Sequence, residues 1–379
     1  MKSFYVKPHV YMDSDGVTET LKGRKRAFIV CDAFMVKSGM TKYLTDVMDE
    51  LCIPYKIFSE VKPDPDIATI SAGMSMMEDF EPDILFALGG GSAIDAAKAM
   101  NYLLWQGGRL QKCYFVAIPT TSGTGSEVTS FAVISDPSTT SKYPLISEEL
   151  LPDAAILDAK LTVTVPPSIT ADTGIDVFTH AIEAFVSVNQ DDFTDACAEK
   201  AAKLVRSNLL KAYKNPQDME ARQKMHHASC LAGMAFSNAG LGLNHGMAHA
   251  LGAHFHIPHG KANALLLPYV MSFNCGCQDG LRDDTAKRYA RLARACWLDS
   301  GSVRQSAFQM IRSTKGLIAN LDFPTCIKDM GIKEKDYKAA IPEMAAAAIN
   351  DRCTATNPRV PTQADVEEIY VEAYIGRTI

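Results

Sequence analysis

The sequence has no long hydrophobic run. No stretch approaches the ~20 consecutive apolar residues that a membrane-spanning helix requires. The first residues, MKSFYVKPHVYMDSDG, also lack the apolar core of a signal peptide. We therefore expect no membrane association and a cytoplasmic location.

Closely spaced cysteine pairs are scarce. Of the ten cysteines only Cys275 and Cys277 lie close together, and the chain contains no CxxC pair. This spacing suggests neither a disulfide framework nor a zinc ribbon. We expect the cysteines to be reduced thiols.

Long runs of positive charge are missing as well. The longest, KGRKR at Lys22 to Arg26, is interpreted as a solvated loop before a strand, and the formal net charge is -6. Both observations argue against a nucleic-acid partner. At 379 residues, with 47% hydrophobic and 22% charged residues, the chain is long enough to form two domains.

Two kinds of pattern divide the chain. From about Arg26 to Val165, short apolar runs (AFIVC, YKIFSEV, DILFALGGG, YFVAIPTT and AAILD) alternate with helical stretches, which predicts a parallel sheet with helices on both faces. Beyond PPSITADTGID, alanine- and leucine-rich segments at helical period dominate. We predict a Rossmann-like α/β dinucleotide domain over residues 1–165 and an all-helical domain over residues 166–379, with the double proline as a hinge.

The glycines of DILFALGGGSAIDAAKAM follow a predicted strand and precede a helix. At such a point the helix amino terminus can present backbone N–H groups to a phosphate. Gly90 and Gly91 would let the backbone approach closely, and Ser92 could cap the helix while touching the phosphate. Asp95 lies in the first turn. The motif is neither GxGxxG nor GxxxxGK[ST], so a plain strand-to-helix turn stays an open alternative.

A second loop and one acid complete the candidate cofactor site. The loop PTTSGTGSEVTS follows the next strand, and its hydroxyls and N–H groups could hold the ribose and nicotinamide side of a dinucleotide; the candidates are Thr120, Thr121, Ser122 and Thr124. Asp32 closes the strand AFIVC. Its carboxylate could accept hydrogen bonds from ribose hydroxyls and favour NAD over NADP, or it could simply cap the following helix.

Acidic and histidine side chains cluster in the second half. Asp176 and His180 are four residues apart in ADTGIDVFTHAIEAF, which stacks them on one helix face. His245 and His249 share a face in the same way, and His259 follows a proline at which that helix should have ended. One carboxylate with two or three imidazoles suits Zn, Fe, Cu or Ni better than Mg or Ca. We therefore predict a transition-metal site, although single histidines could instead cap or pack.

Two neighbouring residues refine this interpretation. Gly246 follows His245, where the HExxH motif of zincins would need a glutamate, so that class of metalloprotease is excluded. Glu183 lies three residues after His180 and could orient a ligand. An exposed salt bridge is our preferred interpretation of Glu183.

Five motifs resemble a known family. The segments GGGSAIDAAK, PTTSGTGSEVT, ITADTGIDVFTHAIEA, GLGLNHGMAHALG and PHGKANALLLP closely resemble the iron-containing (group III) alcohol dehydrogenases, and the similarity runs over nearly the whole chain. CDAFMVKSG, FSEVKPDPDI, SKYPLISEELLPDAAILD and FTDACAEKAAKLV resemble a branch of this family from propanediol-utilisation microcompartments.

The resemblance implies a metal-dependent, NAD(H)-linked enzyme with its active site in a cleft between the two domains. The implied metal ligands are Asp176, His180, His245 and His259, and Fe(II) and Zn(II) both occur in the family. His249 would stay off the metal and relay the alcohol proton. The implied NAD site consists of Asp32, Gly90, Gly91, Thr120, Thr121, Ser122 and Lys142. His254 and His256 are interpreted as solvated or substrate-channel residues.

The expected reaction is reduction of a short aldehyde, propionaldehyde or acetaldehyde, with NADH. We also expect a homodimer or higher homo-oligomer and, as partners, an aldehyde-producing enzyme or a microcompartment shell. The alternatives are a diol- or glycerol-type dehydrogenase of the same fold, a metal lyase resembling dehydroquinate synthase, and a non-catalytic binding component of a microcompartment. The lyase would need Arg and Lys side chains around its anionic substrate, whereas the metal-side segments are apolar and rich in histidine.

Overall fold

The computed structural model describes residues 3–136, 141–278, 280–298 and 301–377. The chain forms two compact units, one of Tyr5–Val165 and one of Pro166–Ile379 together with Met1–Phe4. Within the described residues, no helix has the length and hydropathy needed to span a bilayer.

The first unit contains a six-stranded parallel sheet in the order β1-β8-β5-β4-β2-β3 and a separate antiparallel hairpin, β6-β7. The strands are β1 (His9–Tyr11), β2 (Ala27–Asp32), β3 (Tyr55–Val61), β4 (Ile84–Gly89), β5 (Tyr114–Pro119), β6 (Phe131–Asp136), β7 (Ser141–Ile146) and β8 (Ala154–Ile156). The helices are α1 (Asp15–Leu21), α2 (Ala33–Lys37), α3 (Lys42–Glu50), α4 (Ile67–Phe80) and α5 (Gly91–Gln106). The predicted parallel sheet is confirmed, whereas β1 and the hairpin were not predicted.

Both faces of the sheet are buried at strand β2. Along β2, Phe28 and Val30 pack into the core beneath α4 and α5, while Ile29 and Cys31 pack into the core on the α1 and α3 side. A strand covered on both faces is apolar at every position, which explains why AFIVC shows no alternation.

The strand order places the candidate cofactor loops together. β2 pairs with β3 on one side and with β4 on the other. The strands that follow β2 are therefore added first on one side of it and then on the other, and the switch point lies between β2 and β4. Asp32 ends β2 and Gly89 ends β4. The carboxyl ends of strands at such a switch point are where doubly wound folds bind their ligands.

The second unit is helical, and its described residues contain no strand. Its helices are α6 (Pro167–Val186), α7 (Asp192–Lys214), α8 (Met219–Ala239), α9 (Leu243–Phe255), α10 (His259–Cys275), α11 (Asp283–Ala295), α12 (Val303–Ala319), α13 (Glu334–Asn350) and α14 (Gln363–Ile375). One core joins α9, α10, α13 and α14 around Leu251, Tyr337 and Tyr370. The predicted helical domain is confirmed.

Candidate metal centre and cofactor loops

Helix α6 carries two candidate ligands into the interior. Pro167 occupies its first turn, where a proline costs no hydrogen bond. The helix is buried over most of its length, and Asp176 and His180 are only 6% and 5% exposed. Their spacing of four places His180 Nε2 3.7 Å from Asp176 Oδ1.

Helix α9 adds His245, whose Nε2 lies 3.5 Å from Asp176 Oδ1. The other ring nitrogen, Nδ1, is bonded to Glu183 Oε2. Because an ionised carboxylate only accepts hydrogen bonds, His245 donates from Nδ1, and Nε2, which faces Asp176, is the ring nitrogen that binds a metal once its proton is displaced. Glu183 therefore fixes the tautomer in which His245 can bind a metal.

Glu183 also caps helix α9. Its Oε1 accepts from the backbone N–H groups of Asn244 at 2.7 Å and of His245 at 3.3 Å, which are otherwise unpaired at a helix start. A Cβ on Gly242 would lie 2.8 Å from Oε1, so the glycine leaves room for the carboxylate. Glu183 is 3% exposed, and our interpretation of it as an exposed salt-bridging residue is therefore wrong.

Helix α10 begins at His259, whose Nε2 lies 3.3 Å from Asp176 Oδ1. The next residue, Gly260, allows α10 to approach α6 closely, because a Cβ there would sit 2.0 Å from the carbonyl oxygen of Asp172. Asp172 lies one helical turn before Asp176 on α6, so this close approach places the start of α10 beside Asp176. The side chain of His259 is 42% exposed, so it closes the cluster on the solvent side.

Asn263 is a member of the cluster that the sequence analysis did not identify. Its Nδ2 donates to Asp176 Oδ1 at 2.8 Å and also lies 3.2 Å from Nε2 of His259. Asn244 Nδ2 donates to Asn263 Oδ1 at 2.9 Å, which fixes the orientation of the amide. The spacing of four between His259 and Asn263 on α10 was a signal available in the sequence.

The charges in the cluster favour a cation. Burial alone would raise the pKa of Asp176, but the surrounding histidines hold it well below its usual range. Burial lowers the pKa of His180 to about 3. Burial opposes a charge on His245 too, but Glu183 and Asp176 outweigh it and raise the pKa of His245 to about 10. The interior thus accommodates one positive charge beside Asp176.

These residues fit a divalent metal ion. Ligand atoms of Asp176, His180 and His245 all lie within 4.8 Å of one another, and His259 reaches the same carboxylate oxygen. One carboxylate and up to three imidazoles make a transition-metal donor set.

The other histidines lie further out. His249 is exposed, and its Nδ1 bonds to Asp351 Oδ2 at 2.8 Å. Its ring stacks on that of His259 at a centroid distance of 5.3 Å. His254 and His256 are exposed, and His256 ends α9 in a left-handed conformation with φ of 54°.

The glycine and threonine loops of the first unit touch each other. A Cβ on Gly90 would lie 3.3 Å from Thr121 Oγ1, and a Cβ on Gly91 would lie 2.8 Å from Thr124 Cγ2. Gly90 is the N-cap of α5, and among the described residues no side chain caps this helix. The prediction that Ser92 caps it is wrong, because the helix begins one residue earlier than Ser92 and its first N–H groups stay open to a ligand.

The candidate acids of this unit have partners within the protein. Asp95 accepts from Ser126 Oγ at 2.6 Å and from the backbone N–H of Val133 at 3.0 Å, so it holds the threonine loop against α5. Asp32 Oδ1 accepts from two backbone N–H groups of α2, which is the helix cap we considered. Thr120 is buried and Ser122 half-buried. The side chain of Lys142 lies outside the described residues.

Comparison with known proteins identifies the family. Residues 9–159 match the model of the iron-containing alcohol dehydrogenases, and residues 170–374 match the C-terminal model of the Fe-containing alcohol dehydrogenase family. The chain belongs to the iron-containing alcohol dehydrogenase family. This alcohol dehydrogenase is 45% identical to the 1-propanol dehydrogenase PduQ of Citrobacter freundii, over 98% of this chain and 100% of the relative.

Another relative and two solved structures are also similar to this chain over nearly its whole length. An NADPH-dependent butanol dehydrogenase of Clostridium saccharobutylicum is 39% identical over 95% of this chain and 94% of the relative. A crystal structure of 1,3-propanediol oxidoreductase superposes with a TM-score of 0.91 at 31% identity, covering 99% of this chain and 100% of that one. Sulfoacetaldehyde reductase from Bifidobacterium kashiwanohense, in complex with NAD+, gives a TM-score of 0.86 at 28% identity, covering 98% of both chains. The enzyme is thus an oxidoreductase that interconverts alcohols and aldehydes, which confirms the predicted enzyme class.

Proposed function

We propose that this dehydrogenase reduces short-chain aldehydes, such as propionaldehyde or acetaldehyde, with NADH. The observation that carries the proposal is the convergence of three imidazole nitrogens on one oxygen of Asp176, within 3.3–3.7 Å. In this proposal Asp176, His180, His245 and His259 hold the metal. Iron(II) is the proposed ion because of the family; zinc(II) accepts the same donors.

The proposed cofactor is NADH, with its pyrophosphate at the amino terminus of α5. Gly90, Gly91 and Ser92 supply the open N–H groups there, and Thr120, Thr121, Ser122 and Thr124 border them. Asp32 supports NADH over NADPH, since a carboxylate at the end of β2 would repel a 2′-phosphate. A role of Lys142 in this site stays a prediction, as does any contact of Asp95 with the cofactor.

When bound, the metal would act as a Lewis acid that polarises the aldehyde carbonyl, and the nicotinamide would supply the hydride. The chain's own contribution to proton transfer is His249. Its Nδ1 is occupied by Asp351 at 2.8 Å, so Nε2 is the atom left to deliver a proton to the product oxygen. His249 is exposed, so water can return that proton.

The proposed test begins with anaerobic purification and elemental analysis. NADH and NADPH oxidation would then be measured with C2 to C4 aldehydes, with glycerol and 1,3-propanediol assayed in the oxidative direction. We expect the highest kcat/KM with a short aldehyde and NADH. No turnover with any aldehyde in fully metallated enzyme would contradict the proposal, and preferential turnover of the diols would favour the diol-type alternative.

The ligand set has its own test in His259→Ala. This variant should lose bound metal while NAD binding, measured by calorimetry, is largely retained. A metal content in the variant equal to that of the wild type would show that the proposed set is wrong. Homo-oligomer formation and association with an aldehyde-producing enzyme or a microcompartment shell stay predictions, which size-exclusion chromatography and co-purification would address.

A further inference from the structure

A second group of metal-binding side chains lies beside the first. His249, Asp351 and Cys353 each offer one ligand atom, and these atoms lie within 4.8 Å of one another. None of the three is among the proposed ligands of the inner ion. Together the three side chains offer a nitrogen, an oxygen and a sulfur atom, whereas the proposed inner ligands offer only nitrogen and oxygen.

The backbone holds Asp351 and Cys353 in place. Asp351 Oδ1 accepts from the backbone N–H of Cys353 at 2.8 Å and so caps the short 3-10 helix Arg352–Thr356. Thr354 Oγ1 donates to the carbonyl of Ala348 at 2.6 Å, which fixes this helix against α13. Asp351 Oδ2 is thereby left to face His249 Nδ1 at 2.8 Å.

The spacing suits a four-coordinate ion after a small adjustment. Ligand atoms that surround a tetrahedral zinc ion at about 2.0–2.3 Å lie roughly 3.3–3.8 Å apart. The three ligand atoms lie within 4.8 Å of one another, so side-chain movements of no more than about 1 Å would bring any wider pair to this spacing. The fourth position is open to water because the side chain of His249 is 45% exposed.

The donor set selects a thiophilic cation. Thiolate sulfur favours zinc and cobalt over magnesium or calcium. Burial raises the pKa of the Cys353 thiol, so the thiol carries a proton that an entering ion displaces into water. The inner cluster has no sulfur, and its Asp176 and His245 are buried. A Co(II) ion would therefore have a different absorption spectrum in each site, and the outer site is more accessible to solvent.

We propose that His249, Asp351 and Cys353 form a second, solvent-facing site for a thiophilic divalent cation such as zinc, and that its occupation inhibits the enzyme. The ion would occupy Nδ1 of His249 and separate the ring from Asp351, so the proposed proton relay loses its orientation. The inhibitory effect rests on the proposed role of His249. The binding site itself does not.

The test is an anaerobic titration of metal-free full-length protein with Co(II), followed by absorption spectroscopy. The wild type should bind two equivalents, and only the second should produce a thiolate-to-cobalt charge-transfer band in the near ultraviolet. Cys353→Ser and Cys353→Ala should lose the second equivalent and its band while keeping the first. His259→Ala should weaken the first and keep the band.

Absence of the band in the wild type, or its persistence in both Cys353 variants, would overturn the proposed site. An unchanged first equivalent in His259→Ala would instead contradict the inner ligand set and leave the outer site standing. In a parallel assay, NADH oxidation by metallated wild type should be inhibited by added zinc, and Cys353→Ser should need at least about tenfold more zinc for equal inhibition. Equal sensitivity of the two proteins would contradict the inhibitory role.

Discussion

Replacing Glu183 by glutamine tests the central feature of the metal centre. Glu183 accepts three hydrogen bonds, from His245 Nδ1 and from the backbone N–H groups of Asn244 and His245. A glutamine of the same shape has only one acceptor oxygen. If that oxygen keeps the backbone bonds, the amide N–H₂ faces Nδ1 of His245, and the ring must move its hydrogen to Nε2.

That change of tautomer places an N–H where the lone pair should face the metal. If the amide flips instead, two donors meet at the start of α9. The first arrangement blocks the metal-binding nitrogen, and the second leaves buried N–H groups unpaired at the start of α9, which costs about 1–3 kcal/mol. Losing a group that orients a metal ligand typically lowers metal affinity by about 10–100-fold, or about 1.4–2.8 kcal/mol, and this is the loss of metal-binding free energy that we expect for Glu183→Gln.

The assay is competition for metal between purified protein and a chromophoric chelator, with the free energy of unfolding of the metal-free protein measured alongside. Glu334→Gln is the matched control, because Glu334 is exposed and pairs with Lys338 at 2.6 Å on the surface of α13. This control should bind metal like the wild type. Unchanged metal affinity in Glu183→Gln, within about twofold, would refute the assigned tautomer role.

Three further predictions follow from contacts in the two units. Gly260→Ala should lower metal content and destabilise the protein by about 1–3 kcal/mol, because its Cβ meets backbone 2.0 Å away. Asp32→Ala should cost about 0.5–2 kcal/mol through the lost cap of α2 and raise the NADPH/NADH ratio of kcat/KM. Burial raises the pKa of Glu127 to about 7, and Lys98 only partly offsets this. The folded state therefore keeps a proton that the unfolded state loses, and wild-type stability should fall between pH 4.5 and 7. Glu127→Gln should lack this loss, gaining about 2–3 kcal/mol over wild type by pH 8.

Each of these outcomes has a control or a contradicting result. Gly316→Ala is the control for Gly260→Ala, because nothing lies within 4 Å of its Cβ in helix α12, and it should stabilise slightly. An unchanged cofactor ratio in Asp32→Ala would remove Asp32 from the ribose site. The free energies of unfolding of Glu127→Gln and wild type are compared by denaturant unfolding from pH 5 to pH 8. A difference that stays constant over this range would show that folding does not raise the pKa of Glu127.

Local patterns predicted the fold class well. The apolar run AFIVC became a buried parallel strand because a strand covered on both faces must be apolar throughout. YKIFSEV became the edge strand β3, which is only partly buried. The hairpin β6-β7 was not predicted, since SKYPLI contains a proline and lysine that weaken a strand signal. The predicted N-cap, Ser92, lies two residues after the observed one, Gly90, because helix boundaries depend on the backbone geometry of the preceding glycines.

Sequence spacing by itself determined that Asp176 and His180 share one helix face, that His245 and His249 share another, and that glycine-rich turns follow the strands. These are properties of a single helix or turn and need no partner. The tertiary structure decided the rest: burial of Glu183 under α9, the approach of Gly260 to α6, and the amide of Asn263 beside Asp176. Each of these depends on two segments far apart in the chain, and only packing brings such segments within hydrogen-bond distance.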